Sequence, residues 1–331
     1  MGRAFCMNPC HREEPLPQPG FGIVPQSGQG RADMTHDGRK RASDFDPRIL
    51  EIFDGYVHGK ITKRDFLKQA GQYAAAGVTA TAILEALQPN YALAQQVAPD
   101  DPGIRAERMA YDSPEGTGRV EGLMVRPADA TGKLPAVLVI HENRGLNPYI
   151  EDVVRRVGKA GYLAFGPDGL TSLGGYPGSD EQGREMQASL APEKLMEDFF
   201  AAYEFLRDHP DSTGAVGCVG FCYGGGVCNA LAVAYPDLRA SVPFYGRQPK
   251  AEDVPAIRAP LMLHYAELDT RINEGWPAYE AALKANGKDY QAFFYEGVNH
   301  GFHNDTTPRY DPEAAALAWE RTMAFFGEKL R

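Results

Sequence analysis

Three residues of this chain have the types and spacing that nucleophilic catalysis requires: Cys222, Asp269 and His300. Cys222 stands in Gly220-Phe221-Cys222-Tyr223-Gly224-Gly225, after the apolar run 215–219 and before a helix-like run from Val227 to Tyr235. Strand, Gly-x-nucleophile-x-Gly and helix make a sharp turn that lifts one side chain above the carboxyl end of a sheet. Glycine is needed wherever a Cβ would strike the neighbouring strand or helix. A thiol with an ordinary pKa is only a few per cent ionised near neutrality, so it needs a base. Asp269 follows the apolar run 261–265, and His300 follows the run 293–295, so both sit in loops at the same sheet end as Cys222. His300 would take the thiol proton and later protonate the leaving group, while Asp269 would hold the far ring nitrogen. His303 is the nearest rival base and Glu267 the rival acid; His264 lies mid-strand and reads as a packed core histidine. The oxyanion formed on acyl transfer needs two donors, expected from the backbone N–H groups of Tyr223 and Asn143.

The elements that must position these residues alternate along the chain. Short strands are expected near 105–111 and 119–126, with a turn at 113–116, then strands at 135–140 and 162–165 around a helix at 149–160. Residues 166–190 are Gly-rich and read as an irregular cover for the site. A helix at 193–208 precedes the turn at Cys222; strands near 240–244, 260–265 and 290–296 and helices near 275–286 and 312–329 follow. Strands alternating with helices imply a mostly parallel central sheet flanked by helices, with the ligand at the strands' carboxyl ends. With the turn at Cys222, that is the α/β-hydrolase fold.

Residues 1–44 are rich in Pro, Gly and Gln without periodicity and read as a disordered extension; Met34 is a second candidate start. Residues 45–97 read as a helical arm or as a twin-arginine-like signal. Thr62-Lys63-Arg64-Asp65-Phe66-Leu67-Lys68 differs from the export motif by one lysine, a modestly apolar run follows, and Ala92-x-Ala94 fits a cleavage site before Gln95. The export reading places the mature protein in the periplasm; the alternative is a cytoplasmic protein whose arm packs on the body with Thr62 as a helix N-cap. Residues 98–331 read as one catalytic domain.

The net charge of −10 is uneven: residues 1–94 hold 11 of the 34 Lys/Arg and 10 of the 44 Asp/Glu, so the remainder is strongly acidic. An acidic body argues against a nucleic-acid partner, and no apolar run is long enough for a stable membrane span. Cys6 and Cys10 lack the second pair of a zinc site, Cys218 and Cys228 read as buried apolar residues, and no cofactor or metal motif is present.

Four motifs together resemble the dienelactone hydrolase (carboxymethylenebutenolidase) family over residues 105–330. They are 139–146 (VIHENRGL), the Gly-Phe-Cys-Tyr-Gly-Gly turn, the Asp269 loop and 300–305 (HGFHND). The resemblance implies a Cys222-Asp269-His300 triad acting on a lactone or ester, with Glu142 contacting the thiol and helping to deprotonate it. At the substrate end the match thins. Asn304 stands where the family carries a carboxylate-binding arginine, Arg184 is the candidate for a second, Ala188 stands where a tyrosine is usual, and Tyr245 is retained. Arg144, Arg184, Tyr245 and Asn304 are thus the substrate-contact candidates. Other classes open to the same residues are a thioesterase or carboxylesterase of different substrate class, a non-catalytic binder of small acyl ligands, and a thiol redox protein, which the absence of Cys-x-x-Cys disfavours.

Overall fold

A computed structural model describes residues 40–73, 78–93 and 95–331. The chain forms α1 (Pro47–Val57), α2 (Lys63–Ala70), α3 (Ala80–Leu87), β1 (Ile104–Ser113), β2 (Gly118–Pro127), β3 (Leu134–Ile140), α4 (Pro148–Lys159) and β4 (Leu163–Pro167). It continues through α5 (Asp180–Ser189), α6 (Pro192–Asp208), β5 (Ser212–Phe221), α7 (Tyr223–Ala234), β6 (Ala240–Phe244), β7 (Leu261–Ala266), α8 (Thr270–Asn273), α9 (Trp276–Ala285), β8 (Tyr290–Tyr295) and α10 (Pro312–Leu330).

The strands form one eight-stranded sheet in the order β1-β2-β4-β3-β5-β6-β7-β8, in which β2 runs against the others. Both faces are covered, which is why the central strands are continuously apolar rather than alternating. Along β3, Val137 and Val139 join the core beneath α4 and α10, while Ala136, Leu138 and Ile140 join the core beneath α6 and α7. The register aligns the carboxyl ends: Ile140 opposes Gly220, Phe221 opposes Phe244, Phe244 opposes His264, and Ala266 opposes Tyr295. The loops that follow these strands therefore gather along one edge of the sheet.

Two sequence expectations need correction. Residues 166–190 are not irregular throughout, because α5 occupies their second half. Ser179 caps it, and Asp180 and Glu181 lie in its first turn, where carboxylates favour a helix start. Gly183 and a weak apolar stripe hid it in the sequence. Residues 42–44 form a 3₁₀ turn instead of belonging to a disordered stretch. Met34, Cys6, Cys10, Ala94 and the rest of the extension to residue 39 lie outside the described residues.

The segment carrying the twin-arginine-like motif is helical and packed. Thr62 Oγ1 accepts from Asp65 N at 3.2 Å while the Asp65 carboxylate accepts from Thr62 N at 3.1 Å, a reciprocal capping box. Lys63 and Arg64 are thereby the first turn of α2. Phe66 and Ala70 are fully buried in a third, small core with Ile49, Leu50, Phe53, Tyr56, Val57, Ile83, Leu84 and Leu87. Among the described residues, no helix is long and apolar enough to cross a membrane. Truncating the fully buried Phe66 to Ala should cost about 3–4 kcal/mol, confined to this small core. Amide exchange in α1–α3 should accelerate while β3 and β5 keep their protection; equal acceleration in the sheet would mean that arm and body open as one unit.

Candidate active site

Cys222 occupies the turn between β5 and α7 with φ 56° and ψ −110°, a left-handed conformation that L side chains resist. Neighbouring backbone holds it there: Cys222 N donates to Phe244 O at 3.1 Å, and Gly226 N donates to Cys222 O at 3.2 Å. The two flanking glycines are sterically required. A Cβ at Gly220 would lie 2.2 Å from Gly224 O, and one at Gly224 would lie 2.3 Å from Ile140 O. Sγ therefore stands at the N-terminus of α7, where the helix dipole favours a thiolate.

His300, in the loop after β8, places Nδ1 2.5 Å from Asp269 Oδ2. The other Asp269 oxygen accepts from Ile272 N at 3.3 Å as the N-cap of α8, so a single carboxylate starts the helix and orients the imidazole. His300 Nε2 is buried and has no hydrogen-bond partner among the described residues, and a ring nitrogen of His300 lies within 4.8 Å of the Cys222 thiol. The rivals are occupied elsewhere. His303 Nδ1 meets Tyr149 Oη at 2.7 Å, His264 lies between Tyr295 Oη and Thr322 Oγ1, and Glu267 accepts from Gly297 N at 2.8 Å.

A residue absent from the sequence reading completes the surroundings of the thiol. His58, the C-cap of α1, brings Nε2 to 3.4 Å from Cys222 Sγ, and ligand atoms of His58, Cys222 and His300 all lie within 4.8 Å of one another. Such a trio is a possible soft-metal ligand set, but each member also serves the others by proton and charge. Burial alone would raise the Cys222 pKa, yet the two imidazoles outweigh it and hold the thiol well below its usual range. Burial would likewise lower His300, but the thiolate and Asp269 push it up to about 10. The only sequence trace of His58 was Asp54 four residues before it on α1, a spacing that puts both on one helix face.

The remaining candidates form a network around this centre. Glu142 is almost fully buried; burial raises its pKa, and Arg144 draws it back down only in part. Its Oε2 lies 3.2 Å from Arg144 Nη2 and accepts from Asn304 Nδ2 at 3.2 Å, so in this structure it is held by those two groups rather than by the thiol. Arg144 also donates to Asp180 Oδ2 at 2.8 Å and is buried between its two carboxylates. Arg184 lies with its guanidinium 4.5 Å from the centre of the Tyr56 ring. Tyr245 has φ 38°, lies tilted against His300 with ring centroids 4.8 Å apart, and keeps a buried hydroxyl without a hydrogen-bond partner among the described residues. A cavity of about 450 Å³ is lined by His58, Asn143, Arg184 and Tyr223 together with apolar side chains of α1 and of the α5–α6 region. Asn143 and Tyr223, whose N–H groups are the expected oxyanion donors, thus face the same space. The Asn143 side chain is used differently, donating to Val57 O at 2.8 Å.

Sequence comparison agrees with this architecture. A model of the dienelactone hydrolase family matches residues 120–330, and a YqhI-like model matches residues 36–76, the stretch that carries α1 and α2. A Saccharolobus solfataricus protein named as a carboxymethylenebutenolidase is 31% identical over 245 residues, spanning 62% of this chain and 94% of its own. An Escherichia coli K12 protein named as a hydrolase fragment, YghX, is 61% identical over 115 residues, 35% of this chain and 98% of its own. Among solved structures, a Klebsiella pneumoniae protein described as a dienelactone hydrolase superposes with a TM-score of 0.59 at 24% identity, over 68% of this chain and 99% of that one. The dienelactone hydrolase-like promiscuous phosphotriesterase P91 gives 0.60 at 23%, over 69% and 100%. These structural likenesses establish the α/β-hydrolase fold.

The lowered thiol and raised imidazole have a pH consequence. A group held below its ordinary pKa stays ionised as pH falls through the ordinary value, so Cys222 should remain reactive in mildly acidic buffer. An ordinary thiol loses about tenfold in thiolate per pH unit there. Iodoacetamide labelling followed by peptide mapping should show Cys222 alkylated near pH 6 at close to its neutral rate. Cys228, whose thiol burial pushes up, is the internal control and should stay unlabelled. Equal pH dependence of the two would refute the thiolate.

Proposed function

The chain belongs to the dienelactone hydrolase family, and from that premise we propose that it hydrolyses a neutral, largely apolar ester or lactone, with Cys222 as nucleophile, His300 as base and Asp269 as its orienting acid. The observation that carries this reading is the 2.5 Å Asp269–His300 pair beside a thiol mounted on a strained turn. In acylation the thiolate attacks the carbonyl carbon, the C–O bond to the leaving oxygen breaks, and an imidazolium supplies the proton that oxygen needs. In deacylation His300 takes a proton from water, hydroxide bonds to the acyl carbon, and the C–S electrons return to sulfur. The N–H groups of Tyr223 and Asn143 would receive the oxyanion in both steps.

The substrate preference follows from which cations are free. Arg144 is spent on Glu142 and Asp180, and Asn304 supports Glu142, so neither is available to clamp a substrate carboxylate. Arg184 borders the cavity but lies against Tyr56, and Lys63 is paired with Glu181 at 2.7 Å. The remaining wall includes Tyr56, Val57, Ile61, Leu190 and Leu195, which suits an uncharged acyl or lactone ring.

A panel of neutral and carboxylated esters and lactones tests both halves of the proposal. Neutral members should be turned over faster, and Cys222→Ala should lower kcat by at least about 10⁴-fold. Intact mass of the wild type during turnover of a slow ester should show the acyl group on Cys222. Undiminished turnover by the Cys222→Ala protein would end the mechanism, and a preference for carboxylated substrates would end the specificity assignment.

A further inference from the structure

Two imidazoles lie beside the nucleophile, and one of them comes from outside residues 120–330, the stretch that the family model matches. His58 presents Nε2 to Sγ at 3.4 Å, while its Nδ1 lies 2.8 Å from Asp54 O and 3.2 Å from Asp54 Oδ1. Asp54 is itself fixed by Arg271 Nε at 3.3 Å and Arg309 Nη1 at 3.4 Å. Asp54–His58 thus repeats the arrangement of Asp269–His300: a carboxylate holds the far ring nitrogen so that the near one meets sulfur. Arg271 Nη2 also lies 3.0 Å from His58 Nε2. A guanidinium can only donate, so in the neutral ring Nε2 carries the lone pair and is ready to accept the thiol proton.

The two imidazoles differ in what they face. The cavity wall includes His58, Asn143 and Tyr223 but not Cys222, His300 or Asp269. His58 lines the cavity together with Asn143 and Tyr223, and His300 lies behind it, edge to face with centroids 4.8 Å apart. A group that protonates a departing oxygen has to stand on the side where that oxygen leaves.

We infer that His58 is a second catalytic imidazole, contributed by the N-terminal arm, which takes the Cys222 proton and delivers it to the leaving oxygen while His300 acts on water. The inference rests on the reading of Cys222 as the nucleophile. The proton count closes. The free enzyme holds thiolate and one proton shared by the two imidazoles; acylation forms S–C, breaks C–O and moves that proton through His58 Nε2 to the leaving oxygen, which leaves both rings neutral. Deacylation then moves a water proton to His300, forms the C–O bond of the acid and returns the C–S pair to sulfur. The two rings meet edge to face with centroids 4.8 Å apart beside the same sulfur, which lets them share the regenerated proton. The groups facing His58 are Asp54 on its own helix, Cys222, His300 and Arg271. Burial pushes the His58 pKa down, but the thiolate and Asp54 outweigh it and leave it raised. A corollary concerns the arm: cleavage after Ala94, as the export reading requires, would strip the enzyme of this residue.

The test uses the full-length chain and the variants His58→Gln and Asp54→Asn. For each, kcat/KM is measured on a p-nitrophenyl ester and on an alkyl ester of the same acid, with Cys222 alkylation followed in parallel. A nitrophenolate leaves without a proton and an alkoxide does not. His58→Gln should therefore lower the alkyl-ester rate on the order of a hundredfold and the nitrophenyl rate only a few fold. Asp54→Asn should show the same asymmetry more weakly. Equal losses on both esters, no loss, or a gain would overturn the inference and leave His58 as a cover over the thiol. Should alkylation of Cys222 leave wild-type hydrolysis intact, the nucleophile assignment itself fails and the inference with it. Should alkylation abolish hydrolysis while the ester asymmetry is missing, the inference about His58 alone fails.

Discussion

A thiolate buried to 8% exposure is stable only if positive charge is placed beside it, and most of the structure around the sheet edge meets that requirement. Water cannot solvate the anion, so neighbouring groups must. The thiol has two imidazoles, and each is raised toward its charged form by the sulfur and by a carboxylate behind it. Removing either partner of such a buried pair leaves an uncompensated charge, which typically costs about 3–5 kcal/mol. The strained backbone at Cys222 serves the same end. It carries Sγ out of the sheet to the point where the loops after β7 and β8 and the end of α1 converge.

The acidic groups nearby must be kept from opposing that arrangement. Glu142 and Asp180 are both buried, and either would repel a thiolate if left unpaired. Arg144 lies between them and neutralises part of each. The network then runs outward to the arm: Tyr91 Oη donates to Asp180 Oδ1 at 2.6 Å, and Tyr56 Oη donates to Glu181 Oε1 at 3.1 Å. The arm is therefore attached through the charge balance of the site as well as through its own small core. Hydrogen bonds to charged groups contribute roughly 1.5–3 kcal/mol each, more than neutral ones, so these ties orient the end of α1 more firmly than apolar contact alone would.

Much of this was legible in the sequence wherever the constraint was local. Gly220 and Gly224 are dictated because a Cβ on either would lie little more than 2 Å from a backbone oxygen, and such a turn leaves a fixed residue pattern. The meeting of Asp269 with His300 was legible because each follows an apolar run that has to be a buried strand. The capping box at Thr62 and Asp65 was legible too, but the same residues also fit an export motif, and local pattern could not choose between the two. His58 left almost no trace. It is one polar residue at a helix end, and its meaning comes from contacts with Cys222, Arg271 and His300, more than 160 residues away in the first case. Arg144 was misplaced for a related reason: an arginine near a site reads as a ligand clamp until the two carboxylates that consume it are seen. Tertiary charge pairing is invisible to periodicity, and that is where the sequence reading stopped.

The position of His58 joins substrate entry to proton delivery. His58 lines the cavity whereas Cys222, 8% exposed, does not, so in the proposed mechanism an acyl carbon passes this ring to reach Sγ. In the proposed mechanism that ring carries the proton which the thiol has lost. Bond formation at sulfur removes the negative charge that raised the His58 pKa, and the ring becomes a stronger acid at the moment the leaving oxygen becomes basic. The Asp54 contacts keep the residue in place by holding Nδ1, while Nε2 lies against the sulfur and Arg271 Nη2. In a triad with one histidine the same ring serves both steps, because water enters where the leaving group departs. Here two rings, each anchored by its own carboxylate, meet edge to face with centroids 4.8 Å apart beside one sulfur, and the proposed mechanism divides the two proton transfers between them.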